Sequence, residues 1–249
     1  MNQPKEQYLP LRIVADMASP IGMYSHDALP LDGLLEYAAA HSNYDIVQRA
    51  EFPRGSDGRR RLPPMTDRVY NFRLPVKRIG HKTDEWYWAA SWATFPRGFE
   101  TTVDHWNRRT DFADPELQPV LLDTGWTQKL NVSGGRYKSY HCPLPQIVTP
   151  VVEWFCLGAP AKISRLLQRI THLGKKRGYG GGEVIRWTIY RSGDDFSCWR
   201  DGQPMRALPN RDGEYRRGYH RLRAPYWRHE DKNLAVLPGS RVANCAATG

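Results

Sequence analysis

Between an apolar helical stretch and an alternating strand, residues 172–191 read "HLGKKRGYGGGEVIRWTIYR", with Lys175, Lys176 and Arg177 running into Gly178, Gly180, Gly181 and Gly182. Backbone N–H groups reach a phosphate only where side chains do not stand in the way, so glycine recurs in anion cradles and the three cations would supply the charge. A basic, flexible turn is the plainer reading of the same residues. No GxxxxGK[ST] is present, and no Ser or Thr follows a lysine to hold magnesium. The loop also follows a helix instead of opening one, which argues against a dinucleotide fingerprint. ATP and NAD therefore fit poorly.

Other residue sets carry weaker signals. "MYSHD" places Tyr24 and His26 after the first strand, two side chains of the kind that move protons in acid–base chemistry. A histidine beside Asp27 equally suits a structural hydrogen bond. His105 and His141 make no metal set, HExxH and paired CxxC are absent, and Cys142, Cys156, Cys198 and Cys245 lie too far apart for a zinc ribbon. The expectation is reduced thiols in a cytoplasmic protein, without metal or other cofactor. The N-terminal "MNQPKEQYLPLRIV" lacks a long apolar core behind a basic start, and no stretch has the length of a membrane span, so neither secretion nor insertion is expected.

The whole chain leans toward a polyanionic partner. Among 249 residues, Lys plus Arg total 36 against 26 Asp plus Glu, a formal charge of +10. Thirteen Tyr and nine Trp leave aromatics for a core and some for stacking on unpaired bases.

These residues need elements to hold them. "LRIVADMASPIG", 11–22, predicts a strand broken at Ser19-Pro20. Leu31, Leu34, Leu35, Ala38 and Ala39, with Asp32 near the start, predict an amphipathic helix. "RGSDGRRRLPP", 54–64, is a loop whose Arg59–Arg61 run is a solvated face or a phosphate contact. "RVYNFRLPVKRIG" and "EWYWAASWATF" predict a hairpin or neighbouring strands. From Arg97 to Thr149 periodicity dissolves into short strands at best, in a long irregular insertion where cations interleave with rings. Trp106 precedes Arg108 and Arg109, Trp126 precedes Lys129, and Arg136, Tyr137, Lys138 and Tyr140 follow. "VTPVVEWFCLG", 148–158, predicts one apolar strand. "PAKISRLLQRITHLG" predicts a helix with Pro160 in its first turn, Ile163, Leu166, Leu167 and Ile170 on one stripe and Gly174 as its stop. "EVIRWTIYR" predicts a last core strand. "DGQPMRALP", 201–209, predicts a surface turn, with Met205 and Arg206 available to a neighbouring subunit. The segment 214–232 is dense in arginine and aromatics, and Arg216, Arg217 and Arg221 in it are candidates for contact with a DNA duplex. Two strand–helix–strand halves predict an α/β (α+β) protein on a ferredoxin-like βαββαβ core, one domain over 1–249.

"LGKKRGYGGGEVIRWTI", followed in order by "SCWRDGQPMRALP" and "LRAPYW" and preceded by the "LDGLLEYA" helix, resembles the Cas-five-type RAMP subunit of type IV CRISPR systems over most of the chain. The resemblance implies a RAMP/RRM-type ferredoxin-like core, a thumb-like insertion at 97–149 and a C-terminal extension at 192–249. It implies a non-catalytic subunit that grips the 5′ handle of the crRNA, caps the filament of backbone RAMP subunits and contacts the large subunit near the PAM duplex. Target DNA would be met through the complex, with sequence read by base pairing. Carried onto this chain, Lys175, Lys176, Arg177, Gly178, Tyr179 and Gly180 would clamp handle phosphates, joined by Arg108, Arg109, Lys129, Arg136 and Lys138 from the thumb. Tyr137, Tyr140 and Trp106 would stack on splayed bases, and His26 would lie near the RNA. Two other readings stand beside it: a metal-independent endoribonuclease that processes pre-crRNA, and a free-standing RNA-binding protein.

Overall fold

The computed structural model describes residues 7–23, 29–49, 74–80, 86–108, 139–175, 177–226 and 232–238. In chain order the elements are β1 (Leu9–Met17), β2 (Ile21–Gly22), α1 (Leu31–Arg49), β3 (Arg78–Ile79), β4 (Tyr87–Trp88), β5 (Glu100–Arg108), β6 (Tyr140–Val148), β7 (Val151–Gly158), α2 (Pro160–Leu167), a 3₁₀ turn (Arg177–Tyr179), β8 (Val184–Arg191), β9 (Trp199–Arg200), β10 (Gln203–Pro204), β11 (Leu208–Pro209), β12 (Arg217–His220) and β13 (Asn233–Val236). The fold is mixed α+β, mostly strands, with two helices among the described residues. No helix among them is long and apolar enough to cross a membrane.

β1 is the centre of an antiparallel sheet ordered β7-β1-β8, with Ile13 opposite Trp154 on one side and Ile189 on the other. Its alternation puts Leu11, Ile13, Ala15 and Met17 on one face, where they join Leu31, Leu35 and Ala38 of α1 and Ile163 and Leu167 of α2 in the main core. β7 is apolar but for Glu153, which pairs with Arg12, because both of its faces are covered and its outer edge is paired. Ser91 N–H donates to Phe155 O at 2.8 Å, Thr94 N–H to Glu153 O at 2.8 Å and Leu157 N–H to Ala89 O at 3.0 Å, so segment 89–94 runs along it.

Several expectations are corrected. The 97–149 stretch is framed by two nine-residue strands, β5 and β6, paired from Glu100↔Val148 to Arg108↔Tyr140. Pro143 and Pro145 lie within β6 and most of the ribbon's side chains are exposed, so the sequence carries no period-2 signal there. The expected single strand over 148–158 divides at Thr149-Pro150, where the Thr149 hydroxyl meets the carbonyls of Gly98 and Val151, each at 3.0 Å. The second helix ends at Leu167, not Gly174. Its last turn tightens through Arg169 N–H to Leu166 O and Ile170 N–H to Leu167 O, and Ile170 and Leu173 reach the core from outside the helix. The expected strand pair at 68–95 appears as the short β3–β4 hairpin, while 68–73 lie outside the described residues.

The largest correction concerns 201–209. Asp201 and Gly202 do form a turn at positive φ, 50° and 74°, between β9 and β10. Arg206, however, is fully buried. Its Nη1 donates to the carbonyls of Trp88 and Ala90, its Nη2 to Leu222 O and the Tyr226 hydroxyl, and its Nε to Ala207 O. Tyr226 in turn donates to Asp32 Oδ2 at 2.7 Å, and Asp32 Oδ2 lies 3.5 Å from the guanidinium. Burial, reinforced by the Asp32 carboxylate, holds the Tyr226 hydroxyl well above its ordinary range, so it stays a donor. Met205 is buried as well, so neither side chain is offered to a neighbouring subunit.

Glu36, one helical turn from Asp32, is buried beside this network. Burial, then the Asp32 carboxylate, raises its pKa from 4.5 to about 8 against the opposing pull of Arg221 and Arg223. Between those values the folded chain holds a proton that the unfolded chain has lost, so stability falls as pH rises through that window. Glu36→Gln is expected to flatten the decline, removing a slope of up to ~1.4 kcal/mol per pH unit in urea unfolding midpoints measured across it. A variant whose stability declines as steeply as the parent's would show that other groups set the slope.

Candidate nucleic-acid interface

The glycine loop is anchored at its neck and open at its tip. At the neck it lies on the β1–β2 turn: Gly182 N–H donates to Pro20 O at 2.8 Å, Lys175 N–H to Gly22 O at 2.8 Å and Leu173 N–H to Gly182 O at 2.7 Å. The Ser19 hydroxyl donates to Gly180 O at 2.7 Å and accepts from Glu183 N–H at 2.8 Å. The glycines divide accordingly. A Cβ on Gly182, at φ +71°, would sit 1.9 Å from Leu173 O, and one on Gly174, at φ +76°, 2.5 Å from Gly22 O. Around Gly178 and Gly180 nothing lies within 4 Å of such an atom. The neck glycines let two backbones meet; at the tip Gly178 has open space around it, while both backbone groups of Gly180 are engaged, its N–H with Arg177 O at 3.1 Å and its carbonyl with Ser19.

Tip and ribbon meet through aromatics. Tyr179 is 71% exposed, yet its ring stands edge to face against Trp106 of β5 with centroids 4.1 Å apart. Trp106 Nε1 donates to the Tyr140 hydroxyl across the ribbon at 2.6 Å. Arg177 lies over the Tyr37 ring of α1, 4.6 Å from its centroid, and Tyr37 packs on His41. Lys175, Arg177, Gly178 and Gly180 are exposed on the same loop. Three predicted stacking or clamping residues from two distant segments, Trp106, Tyr140 and Tyr179, thus form one cluster beside two cations. The cations have the chemistry to hold a phosphate, and the exposed ring the chemistry to stack on an unpaired base.

Sequence reasoning missed Tyr37 and Ser19. Tyr37 lies off the apolar stripe of α1, and a ring on the polar side of a helix is the signal that would have flagged it. Among the remaining candidates, Arg108 closes β5 opposite Tyr140, while His26, Arg109, Lys129, Arg136, Tyr137, Lys138 and Lys176 lie outside the described residues.

The expected arginine patch divides. Arg216 and Arg217 are exposed, with Arg217 Nη2 donating to the carbonyls of Arg211 (3.1 Å) and Gly213 (3.0 Å) and Arg216 Nη1 to Pro238 O (3.4 Å). Arg221 turns inward after β12 and is buried, where its charge acts on Glu36. Elsewhere, burial pushes the thiols of Cys156 and Cys198 up, which keeps them protonated. Among the described residues no group of three or more His, Cys, Asp or Glu is placed to hold a metal ion.

A family model described as CRISPR type IV associated protein Csf3 matches residues 9–238. No curated protein matches the chain.

Proposed function

Given that the chain belongs to the family of CRISPR type IV associated protein Csf3 and so to a type IV CRISPR complex, we propose that it is the non-catalytic subunit that holds the 5′ handle of the crRNA. The contact of Tyr179 on the glycine loop with Trp106 on the ribbon carries this reading, because it joins a basic, open-backbone loop to a stacking surface. In this reading β1, α1, segment 89–94, β7, α2 and β8 are the ferredoxin-like RAMP core, supported by a sheet in which β7 and β8 flank β1 and 89–94 edges β7. The 97–149 segment is the thumb and 192–249 the C-terminal extension. The subunit caps the backbone filament and contacts the large subunit near the PAM duplex, Arg216 and Arg217 facing DNA, while base pairing reads the target.

Titration of the protein with guide RNA, with and without its 5′ handle and across a range of salt, tests the assignment. The parent should prefer the handle, and the Lys175→Ala, Lys176→Ala, Arg177→Ala triple variant should lose that preference. Its log–log salt slope should fall by about 2, the single-strand value for three phosphate contacts. Tyr179→Ala should weaken handle binding by about 1–3 kcal/mol if a base stacks there. Equal binding of both RNAs, unchanged in the triple variant, would leave the loop a basic turn. Precursor RNA should stay intact with the isolated subunit in EDTA, and cleavage would replace this reading by an endoribonuclease.

A further inference from the structure

Two arginines from distant segments lie on one indole. Arg78 of β3 holds its guanidinium carbon 4.2 Å from the centroid of the Trp86 ring, and Arg223 holds its own 4.4 Å from the same centroid. Arg223 Nη1 also donates to Trp86 O at 3.4 Å. The backbone beneath is fixed. Arg78 pairs with Trp88 across the β3–β4 hairpin, Lys77 N–H donates to Leu157 O at 2.7 Å, and Trp88 stands edge to face against Trp86 with centroids 5.2 Å apart. A guanidinium lying over a ring keeps its N–H donors directed sideways in its own plane, the edge that takes a phosphate.

The surroundings add positive charge and little negative. Lys77 and Arg78 are exposed, and "RLPVKRIGHK", 73–82, holds Arg73, Lys77, Arg78 and Lys82 with no acidic residue. The ion pairs among the described residues engage Arg12, Arg186, Arg200 and Arg206, not Arg78. Glu36, the carboxyl on which Arg223 acts, has its pKa raised to about 8 by burial and by Asp32, so at neutral pH it is mostly protonated and offers Arg223 little counter-charge. Two guanidinium charges brought onto one ring repel each other, and an anion lying across both relieves the repulsion.

We propose that Arg78 and Arg223, seated on Trp86, hold phosphodiester groups of a nucleic-acid backbone. Nucleic acid fits because the chain carries a formal charge of +10 and belongs to a CRISPR family. With two guanidiniums on a half-buried indole, contact falls on phosphates, which position a strand without reading its bases and are common to RNA and DNA. The proposal adds a second contact to the RNA-binding reading and uses none of the glycine-loop or ribbon residues.

The test measures binding of the full chain to labelled oligouridylate and, separately, to duplex DNA across a range of salt. Arg78→Ala, which truncates an exposed side chain, should lower the log–log salt slope by about 0.7 with the single strand or about 0.9 with the duplex, and the probe that responds names the strand held here. Arg78→Lys should keep the slope yet bind about threefold more weakly, because an ammonium carries the charge without lying flat on the ring. Arg165→Ala, which removes an exposed arginine of α2, should bind both probes as the parent does. An Arg78→Ala effect beside a silent Lys175→Ala, Lys176→Ala, Arg177→Ala variant would uphold this site while the glycine-loop reading fell. A slope unchanged by Arg78→Ala with both probes, a loss matched by Arg165→Ala, or a loss confined to polyglutamate, a mimic of an acidic protein, would each overturn the proposal.

Discussion

Arg206→Leu is expected to lower the thermal midpoint by about 10 °C or more, the largest loss of any single side chain in the C-terminal third. Leucine fills part of the space but leaves the carbonyls of Trp88, Leu222 and Ala90 without their donor. It also leaves Asp32, fully buried, without a cation. Removing one partner of a buried ion pair costs about 3–5 kcal/mol, because the remaining charge stays desolvated. At the ~2–4 °C per kcal/mol expected for a domain of this size, the midpoint falls accordingly. Lysine at this position would restore charge without the planar fork that reaches several acceptors at once, so Arg206→Lys should recover only part of the loss. Adding Asp32→Asn to Arg206→Leu should destabilise less than the two single changes summed, since the stranded charge is gone. Calorimetry of the four proteins decides the matter. Strict additivity would mean that the pair does not interact and that packing alone accounts for the effect. The network also explains how the C-terminal segment is held: one guanidinium ties α1, the strip at 88–90 and the carbonyl of Leu222 into a single body.

Gly182→Ala is expected to unfasten the glycine loop, whereas Gly178→Ala, a few residues away, should leave stability nearly unchanged. The positive φ at Gly182 alone costs a non-glycine residue about 1–3 kcal/mol, and the added methyl would overlap Leu173 O and Leu173 C. Backbone cannot give way as a side-chain tip can, so the bonds from Leu173 N–H to Gly182 O and from Gly182 N–H to Pro20 O should both be lost. The measurable result is faster amide exchange at Leu173, Lys175 and Gly182 together with weaker handle-RNA binding. Gly178→Ala meets open space and tests the tip alone: unaltered stability with altered RNA binding is the expected pattern. If both variants exchange like the parent, the neck contacts are not what holds the loop.

Much of the frame is legible in the chain itself. The alternation of β1, the Leu31–Leu35–Ala38 stripe of α1, the run of β7 and the strand after the glycine loop are local periodicities; burial follows the first three, while in β8 Ile185 stands exposed. The "LGKKRGYGGGEVIRWTI", "SCWRDGQPMRALP" and "LRAPYW" segments likewise pointed to the family that the model match over 9–238 establishes. The ribbon was illegible because exposure on both faces and two prolines erase its period. Arg206 was misread because a lone arginine in a Gly- and Pro-containing stretch has the local character of a turn. Its burial depends on acceptors from residues 88, 90, 222 and 226 and on a carboxylate at 32, all remote in the sequence. The same holds for the candidate site. Composition nominated Trp106, Tyr140, Lys175, Arg177 and Tyr179 separately, but only the crossing of the β5–β6 ribbon and the loop after α2 sets Tyr179 against Trp106. The sequence by itself determined β1, β7, β8, the presence of the two helices and a stock of cations and rings, because these rest on neighbours two to four residues apart. Tertiary structure alone decided which glycines carry load, which arginine is buried and which rings touch, because those outcomes depend on where separate backbones come together.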